Sequence, residues 1–428
     1  MRLDELLHHI REPECLEALQ DHWDESVRTL PEGGPAFLYP DTIAISRTWG
    51  GLGSEAQPAL VRAAHRILND PALTHLAWHC YRQTFEYPEG IDGARWPRLQ
   101  GVLGDLSGTF YLLVTMAAVP RIRAKHQEMG VGEAVTRDTC RVVESLCTYY
   151  RKAHDGQYGA YPHQVYWPRR HTDGLLFRIG RLEYFLTTFR EYGASCSVYR
   201  NRVTGETIAL APHGWCMTPA GFRHSAVDSP CDDGRWTTSL THDVHQITGY
   251  PLSPAGYAIR RRVSLQLDVW SPALTQDDWV LSMHIPAGDP LTPDVFISSL
   301  RRARAFFDRY FPATPSKAIA CSSWIFSPIL EQLLPATSNL VRNLREVYLL
   351  PAPRHGPHDG LWFIFVQDTG NHRILDLSTA EAHTSLERNI LDYLRTGGIW
   401  RCGDMFVLNE DLDRLGTQFY RSHWTAPA

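Results

Sequence analysis

The sequence lacks most of the signals that assign a chemistry at sight. Its nine cysteines, at positions 15, 80, 140, 147, 196, 216, 231, 321 and 402, include no C-x-x-C pair, so neither a disulfide framework nor a zinc ribbon is signalled. No long basic stripe is present, and Lys plus Arg at 42 against Asp plus Glu at 47 leaves a net charge of −5, which speaks against a nucleic-acid partner. The most apolar run, "FYLLVTMAAVP", is far shorter than the roughly 20 residues of a membrane span, so no membrane partner is expected. The start, "MRLDELLHHIREPECLEAL", is charged and broken by Pro13, unlike a secretory signal, and a cytoplasmic location is expected. The motifs G-x-S-x-G, H-E-x-x-H, G-x-x-x-x-G-K-[ST] and the dinucleotide fingerprint are absent, which removes support for hydrolase-elbow, zincin, P-loop and Rossmann chemistry. Histidine is plentiful at twenty, yet the closest groupings, "HDVH" (242–245) and "HGPH" (355–358), have no third ligand at a recognisable spacing, so no metal is expected.

What the chain does have is length and apolar mass. Its 428 residues, 43% hydrophobic, suffice for more than one core, and thirteen Trp with eighteen Tyr supply rings of the kind that line pockets for organic ligands. Residues 1–153 carry apolar side chains at three- and four-residue spacing in "SEAQPALVRAAHRILND", "PALTHLAWHCYRQTF" and "TRDTCRVVESLCTYYRKA", which predicts a helical domain. Asp70 or Asn69 before Pro71, and Thr136 before Asp138, read as helix starts. The Gly-, Pro- and Tyr-rich stretch 154–174 has neither period and reads as a linker.

From 175 to 428 the texture is strands first and helices later, which predicts an α+β domain. Strands are expected at 175–190, 195–212 with a turn at Gly205, 257–270, 279–285 and 317–324, and helices at 293–311, 327–346 and 384–398. In 257–270, Val263, Leu265, Leu267 and Val269 alternate with polar residues that include Asp268. In "VLSMHI" the side chains of Val280, Ser282 and His284 share one face, so the strand carries His284 to its carboxyl end. Thr292 and Pro293 then form a helix N-cap and first position.

The stretches "FRIGRLEYF", "YRNRVTGE", "MHIPAGDPLTP", "CSSWIFSPILEQLLPATSNLVRN" and "TSLERNILDYLRTGG" resemble actinobacterial acyltransferases that join an N-terminal helical domain to a C-terminal domain related to the GNAT superfamily of N-acyltransferases. The resemblance implies a twisted, mostly antiparallel sheet flanked by helices, and a central strand ending beside a loop that holds the pyrophosphate of coenzyme A. It places Ala287, Gly288, Leu291 and Thr292 at that loop. The superfamily's Gln/Arg-x-x-Gly-x-Gly/Ala pattern is replaced here by "PAGDPLTP", with a single Gly, two prolines and an acidic Asp289. The implied reaction moves an acyl group from acyl-CoA, or from an acyl carrier protein's thioester, to the amine of a small molecule in bacterial biosynthesis.

Acyl transfer to an amine needs a base for the amine proton and donors for the developing oxyanion. His284 is the candidate base, since imidazole titrates near neutrality. Glu183, two residues from Arg181 on the same face of its strand, is a second; it would bind or deprotonate the amine while Arg181 orients a carboxylate, or the two form a structural ion pair. Asp268 is an alternate base. Trp324, Ser338 and Asn339 are candidate substrate contacts, with Ser338 and Asn339 equally suited to capping the helix that follows. Two other readings stay open: thioester hydrolysis through Cys321 paired with His284, and a GNAT-shaped module that binds without turnover. The sequence carries no reading of oligomeric state.

Overall fold

The regular three- and four-residue spacing of the first third becomes helices. The computed structural model describes residues 1–87, 93–192, 196–225, 234–367 and 375–425. These fall into two units, Met1–Ile179 with Pro286–Gly288, and Gly180–Ile285 with Asp289–Ala428. In the first, helices Gln57–Leu68, Pro71–Phe85, Ser107–Met116, Ala118–Glu128 and Val142–Ala153 surround one apolar core. The Asp70 carboxylate accepts the Ala72 amide at 2.9 Å and the Leu73 amide at 3.4 Å, satisfying donors a helix start leaves open. Thr136 is not a cap: its helix runs Glu133–Cys140, and the Thr136 hydroxyl donates back to the Gly132 carbonyl at 3.2 Å. The stretch Gln100–Glu128 is long and apolar enough to cross a membrane by length and composition, but 78% of its most apolar window is buried.

Residues 154–174 are not a linker. Tyr161, Val165 and His171 are buried and belong to the first unit, which continues to Ile179. The unusual composition has a packing cause: a Cβ on Gly159 would stand 2.4 Å from the Tyr150 ring, so the chain passes there only as glycine.

The second unit contributes five strands to one sheet: β1 (Leu182–Thr188), β2 (Trp279–His284), β3 (Ala318–Ser323), β4 (Tyr348–Pro351) and β5 (Gly403–Leu408). Their order is β1-β2-β3-β5-β4, with β2 and β3 parallel and every other pair antiparallel. The parallel pair requires a crossover, which the helix Pro293–Tyr310 supplies, burying Phe296, Leu300, Ala303 and Phe307. The α+β expectation, with a mostly antiparallel sheet and flanking helices, is thus met.

Two strand predictions were too long. The 175–190 run breaks at Gly180, whose φ of +67° suits a turn, and Arg181 lies in that turn rather than on a strand face shared with Glu183. The 257–270 run splits into Tyr257–Ala258, Val263–Gln266 and a third strand beginning at Trp270. Between the last two, the Val269 amide bonds the Gln266 carbonyl at 3.0 Å, leaving Asp268 exposed in a turn. The 197–210 hairpin turns through Gly205 at φ +74° as anticipated.

Candidate active site

Strand register decides which side chains meet. His284 on β2 stands opposite Glu183 on β1, and Ser282 opposite Phe185. Ser282 also pairs with Ala320 on β3, the last pair of that ladder, so His284 and Ser322, each two residues further on, keep to the same face of the sheet. Ser322 in turn stands opposite Asp404 on β5. Because directly paired residues share a face, Glu183–His284 and Ser322–Asp404 are two polar pairs in one row along the same face, with the β2–β3 pairing ending between them. The β2–β3 pairing covers Val280–Ser282 against Ala318–Ala320, while the strands run on to His284 and Ser323.

His284 is held from beneath. The Ser282 hydroxyl lies 3.1 Å from its Nε2, and the hydroxyl of Tyr192, itself 8% exposed, bonds the same Ser282 oxygen. Burial pushes the Tyr192 phenol well above its ordinary range, so it stays a neutral hydrogen-bonding group. The Phe185 ring stacks on the imidazole, with centroids 5.3 Å apart. Ser282 is fully buried while His284 is half-buried, so the support is dry and the imidazole accessible. Glu183 is 1% exposed, a carboxyl group set beside the imidazole in the sheet.

At the other end of the row opens a cavity of about 340 Å³, lined by Ser322, Asp404, Cys402, Glu191 and the loop containing Pro353, His355, Asp359, Gly360, Trp362 and Phe363. Asp359 is pinned on both its carbonyl and its carboxylate. Its carbonyl accepts the Trp400 indole at 3.0 Å and the Cys402 thiol at 3.2 Å, and its carboxylate accepts the His355 amide at 2.6 Å. A Cβ on Gly360 would lie 2.9 Å from the Trp324 Cβ, so the loop lies close against Trp324, a predicted contact residue. Burial, with nearby Asp359 and Asp404, raises the Cys402 thiol far above neutrality, making it a neutral wall.

The remaining predicted residues lie elsewhere. Ser338 accepts the Val341 amide at 3.3 Å as N-cap of the helix Asn339–Glu346, and neither it nor Asn339 is among the residues lining the cavity. Arg181 donates from Nε to the Asp289 carbonyl at 2.8 Å. Asp268 belongs to the turn described above and is not among the residues lining the cavity. In the loop after β2, the Ser145 hydroxyl donates to the Ala287 carbonyl at 3.3 Å and Gly288 adopts φ +145°. The Leu291 side chain is buried and its carbonyl accepts from Asn343 at 2.8 Å. Thr292 donates its amide to the Pro290 carbonyl at 3.1 Å and accepts the Val295 amide on its hydroxyl at 3.5 Å. Pro293 has no amide proton and Phe296 bonds the Thr292 carbonyl, so most of this helix start is already committed.

Cys321 is 2% exposed and on the opposite face from His284, and burial raises its thiol far above neutrality. A Cys321–His284 nucleophile pair is therefore excluded by the register. Sequence reasoning gave no role to Tyr192, Ser322, Asp404 or the 353–363 loop; the available signal was the alternation in "SMH" and "CSS", which puts Ser282 with His284 on one strand face and turns Ser322 away from Cys321 on the other strand.

Residues 176–405 match the family described as GNAT-like C-terminal domain, and residues 48–174 match the N-acyltransferase N-terminal domain. No curated protein matches significantly. Among solved structures, an acyltransferase mutant in complex with octanoyl-CoA is 22% identical with a TM-score of 0.60, covering 95% of this chain and 99% of that one. An acyltransferase in complex with decanoyl-CoA and teicoplanin is 22% identical with a TM-score of 0.56 over the same shares of the two chains. A third, with decanoyl-CoA, is 20% identical with a TM-score of 0.59, again over 95% and 99%.

Proposed function

Since the chain belongs to the family that couples an N-acyltransferase N-terminal domain to a GNAT-like C-terminal domain, we propose that it transfers an acyl group from acyl-CoA to an amine of a small molecule. The observation that carries this reading is the strand register that sets the half-buried His284 imidazole opposite the buried Glu183 carboxyl group. The solved neighbours hold octanoyl- or decanoyl-CoA, which supports a medium-chain acyl donor, and teicoplanin beside decanoyl-CoA supports a small-molecule acceptor. A carrier-protein thioester is the second donor class.

In this mechanism the amine nitrogen attacks the thioester carbonyl carbon within one ternary complex. His284 takes the proton released by the nitrogen, while Ser282 and Tyr192 fix the ring's orientation and Glu183 favours the imidazolium that forms. The carbon–sulfur bond then breaks, and the coenzyme A thiolate departs and is protonated. Beyond the paired residues of β2 and β3, strand backbone near Met283 and Cys321 is the proposed dock for the amide-bearing thioester arm. Backbone N–H groups there polarise the carbonyl. No acyl-enzyme forms, in keeping with the buried Cys321. The cytoplasm, where acyl-CoA is made, is the proposed location.

The test is calorimetric titration with decanoyl-CoA, followed by colorimetric detection of free thiol with and without amines. Saturable binding and amine-dependent thiol release are expected. Thiol release indifferent to amine would convert the protein into a hydrolase, and absence of decanoyl-CoA binding would remove the donor assignment.

A further inference from the structure

The cavity at the Ser322–Asp404 end of the row has a composition that separates donor from acceptor. Three carboxylates line it, those of Glu191, Asp359 and Asp404, and no Lys or Arg is among the lining residues. The polyanionic end of coenzyme A would be repelled from such a wall, and a bare acyl chain would strip water from the carboxylates without replacing it. A cation meets neither objection. Asp404 also has a cationic neighbour: burial lowers the Arg223 pKa while Asp404 opposes that fall, so the two charges favour one another. Asp359 and Glu191 are left as the wall's main negative charge.

The rest of the lining describes what the cation is attached to. Trp362 is 7% exposed and Phe363 is 47% exposed, so one ring forms the inner wall and the other stands at the rim. Aromatic faces attract both flat organic groups and cations. The volume of about 340 Å³ is at the low end for a ligand site, roughly twice the ~150 Å³ that holds a benzene ring, and so takes a ring together with its amine-bearing arm. Asp359 is already in place to receive it, pinned by Trp400, Cys402 and the His355 amide, so little ordering cost remains on binding.

Resting on the acyltransferase reading, we infer that this cavity seats the acceptor and selects a primary ammonium group carried on a single ring-sized moiety, with Asp359 and Glu191 holding the charge and Trp362 and Phe363 the ring. A large acceptor would insert only its amine-bearing end. Ser322 of the cavity and His284 lie on the same face of the sheet, on neighbouring strands. The balance closes without a further reactant: the ammonium and the thioester give an amide and free coenzyme A thiol, with one proton passing to the sulfur and one to solvent.

The probe is tyramine, with tyrosol as its counterpart of the same shape bearing hydroxyl in place of ammonium. Both are titrated calorimetrically into the full chain saturated with coenzyme A, for the parent protein, Asp359→Asn, Glu191→Gln and the double variant. Asp359→Asn keeps a side-chain oxygen for the His355 amide, and thermal melting checks each variant's fold. Tyramine is expected to bind at least tenfold more tightly than tyrosol, with the preference falling below threefold in the double variant while decanoyl-CoA affinity stays within twofold. Glu191→Gln, at an exposed position, supplies the same reading if Asp359→Asn melts early. Equal binding of the two probes, binding of neither, or a preference untouched by both substitutions overturns the acceptor assignment and leaves the donor reading standing. Failure of the parent protein to bind decanoyl-CoA overturns both.

Discussion

The two units each pair histidines with hydroxyl groups, to opposite ends. In the first, His79 Nδ1 meets the Ser26 hydroxyl at 2.9 Å and His126 Nδ1 meets that of Thr136 at 3.0 Å. Both rings are 0% exposed, and burial drives their pKa down to about 3 and about 4. They are neutral core residues with one polar edge satisfied. In the second unit His284 meets the Ser282 hydroxyl at 3.1 Å, yet its ring is only half-buried and stands opposite the Glu183 carboxyl group. A hydroxyl partner therefore says little about function. Access to solvent and a neighbouring carboxyl group set the proposed base, His284, apart from the two core rings.

The strongest way to break the comparison is to exchange its members. His284→Ala should lower kcat/KM for decanoyl-CoA and amine by about 10²–10⁴-fold, the range for a lost general base, with melting temperature nearly unchanged. His126→Ala should do the reverse, costing stability with kcat/KM nearly intact. A loss of less than tenfold for His284→Ala would place the base elsewhere.

Acid titration sharpens the same contrast thermodynamically. His79 and His126 have folded-state pKa values below the unfolded value near 6.5, so the unfolded chain binds more protons as pH falls. Each therefore withdraws stability as pH drops below about 6.5 and stops doing so only below its folded pKa. The slope is about 1.4 kcal/mol per pH unit for each ring. Chemical denaturation of the parent protein and His126→Gln from pH 6.5 to 4.5 should give curves whose difference shows one such slope removed. Parallel curves would mean that His126 is protonated in the folded state.

How much of this was legible varied with burial. The β2 strand, the Thr292 cap and the 293–310 helix were readable because one face of each is buried and the other is not, which is what periodicity records. β4 and β5 escaped because every residue of Tyr348–Pro351 and Gly403–Leu408 is buried, so no exposed face alternates with a covered one. His284 and Glu183 were individually visible, but their pairing required register between strands about a hundred residues apart in sequence, and the cavity required a loop that pairs with nothing in the local pattern. Arg181 and Asp268 were misplaced for one reason: a turn inside an alternating run leaves no trace when its flanks continue the alternation.

Ser282→Ala tests whether the buried hydroxyl orients His284. Loss of that contact should reduce kcat by about tenfold with KM little changed, and should move the lower arm of the pH–rate profile, because the imidazole's hydrogen bonding changes. A packing role would lower the melting temperature and leave the profile in place.

The smallest effect is expected at Cys321, and its smallness is informative. Cys321 lies on β3 next to Ser322, so one residue of sequence separates it from the polar row, but the pleat turns it to the face that also carries Leu281, Met283 and Ile319, all buried. Cys321→Ala removes a sulfur from a packed interior, which should cost about 1 kcal/mol or more of stability through the space left behind. It removes no group that can reach the thioester, so kcat/KM should stay within about twofold where the fold is intact, and mass spectrometry of the parent protein mixed with decanoyl-CoA should show no acyl adduct. A hundredfold loss in Cys321→Ala, with an adduct in the parent protein, would require the strand to present its other face to the substrate. That change would carry His284 away from the open face at the same time.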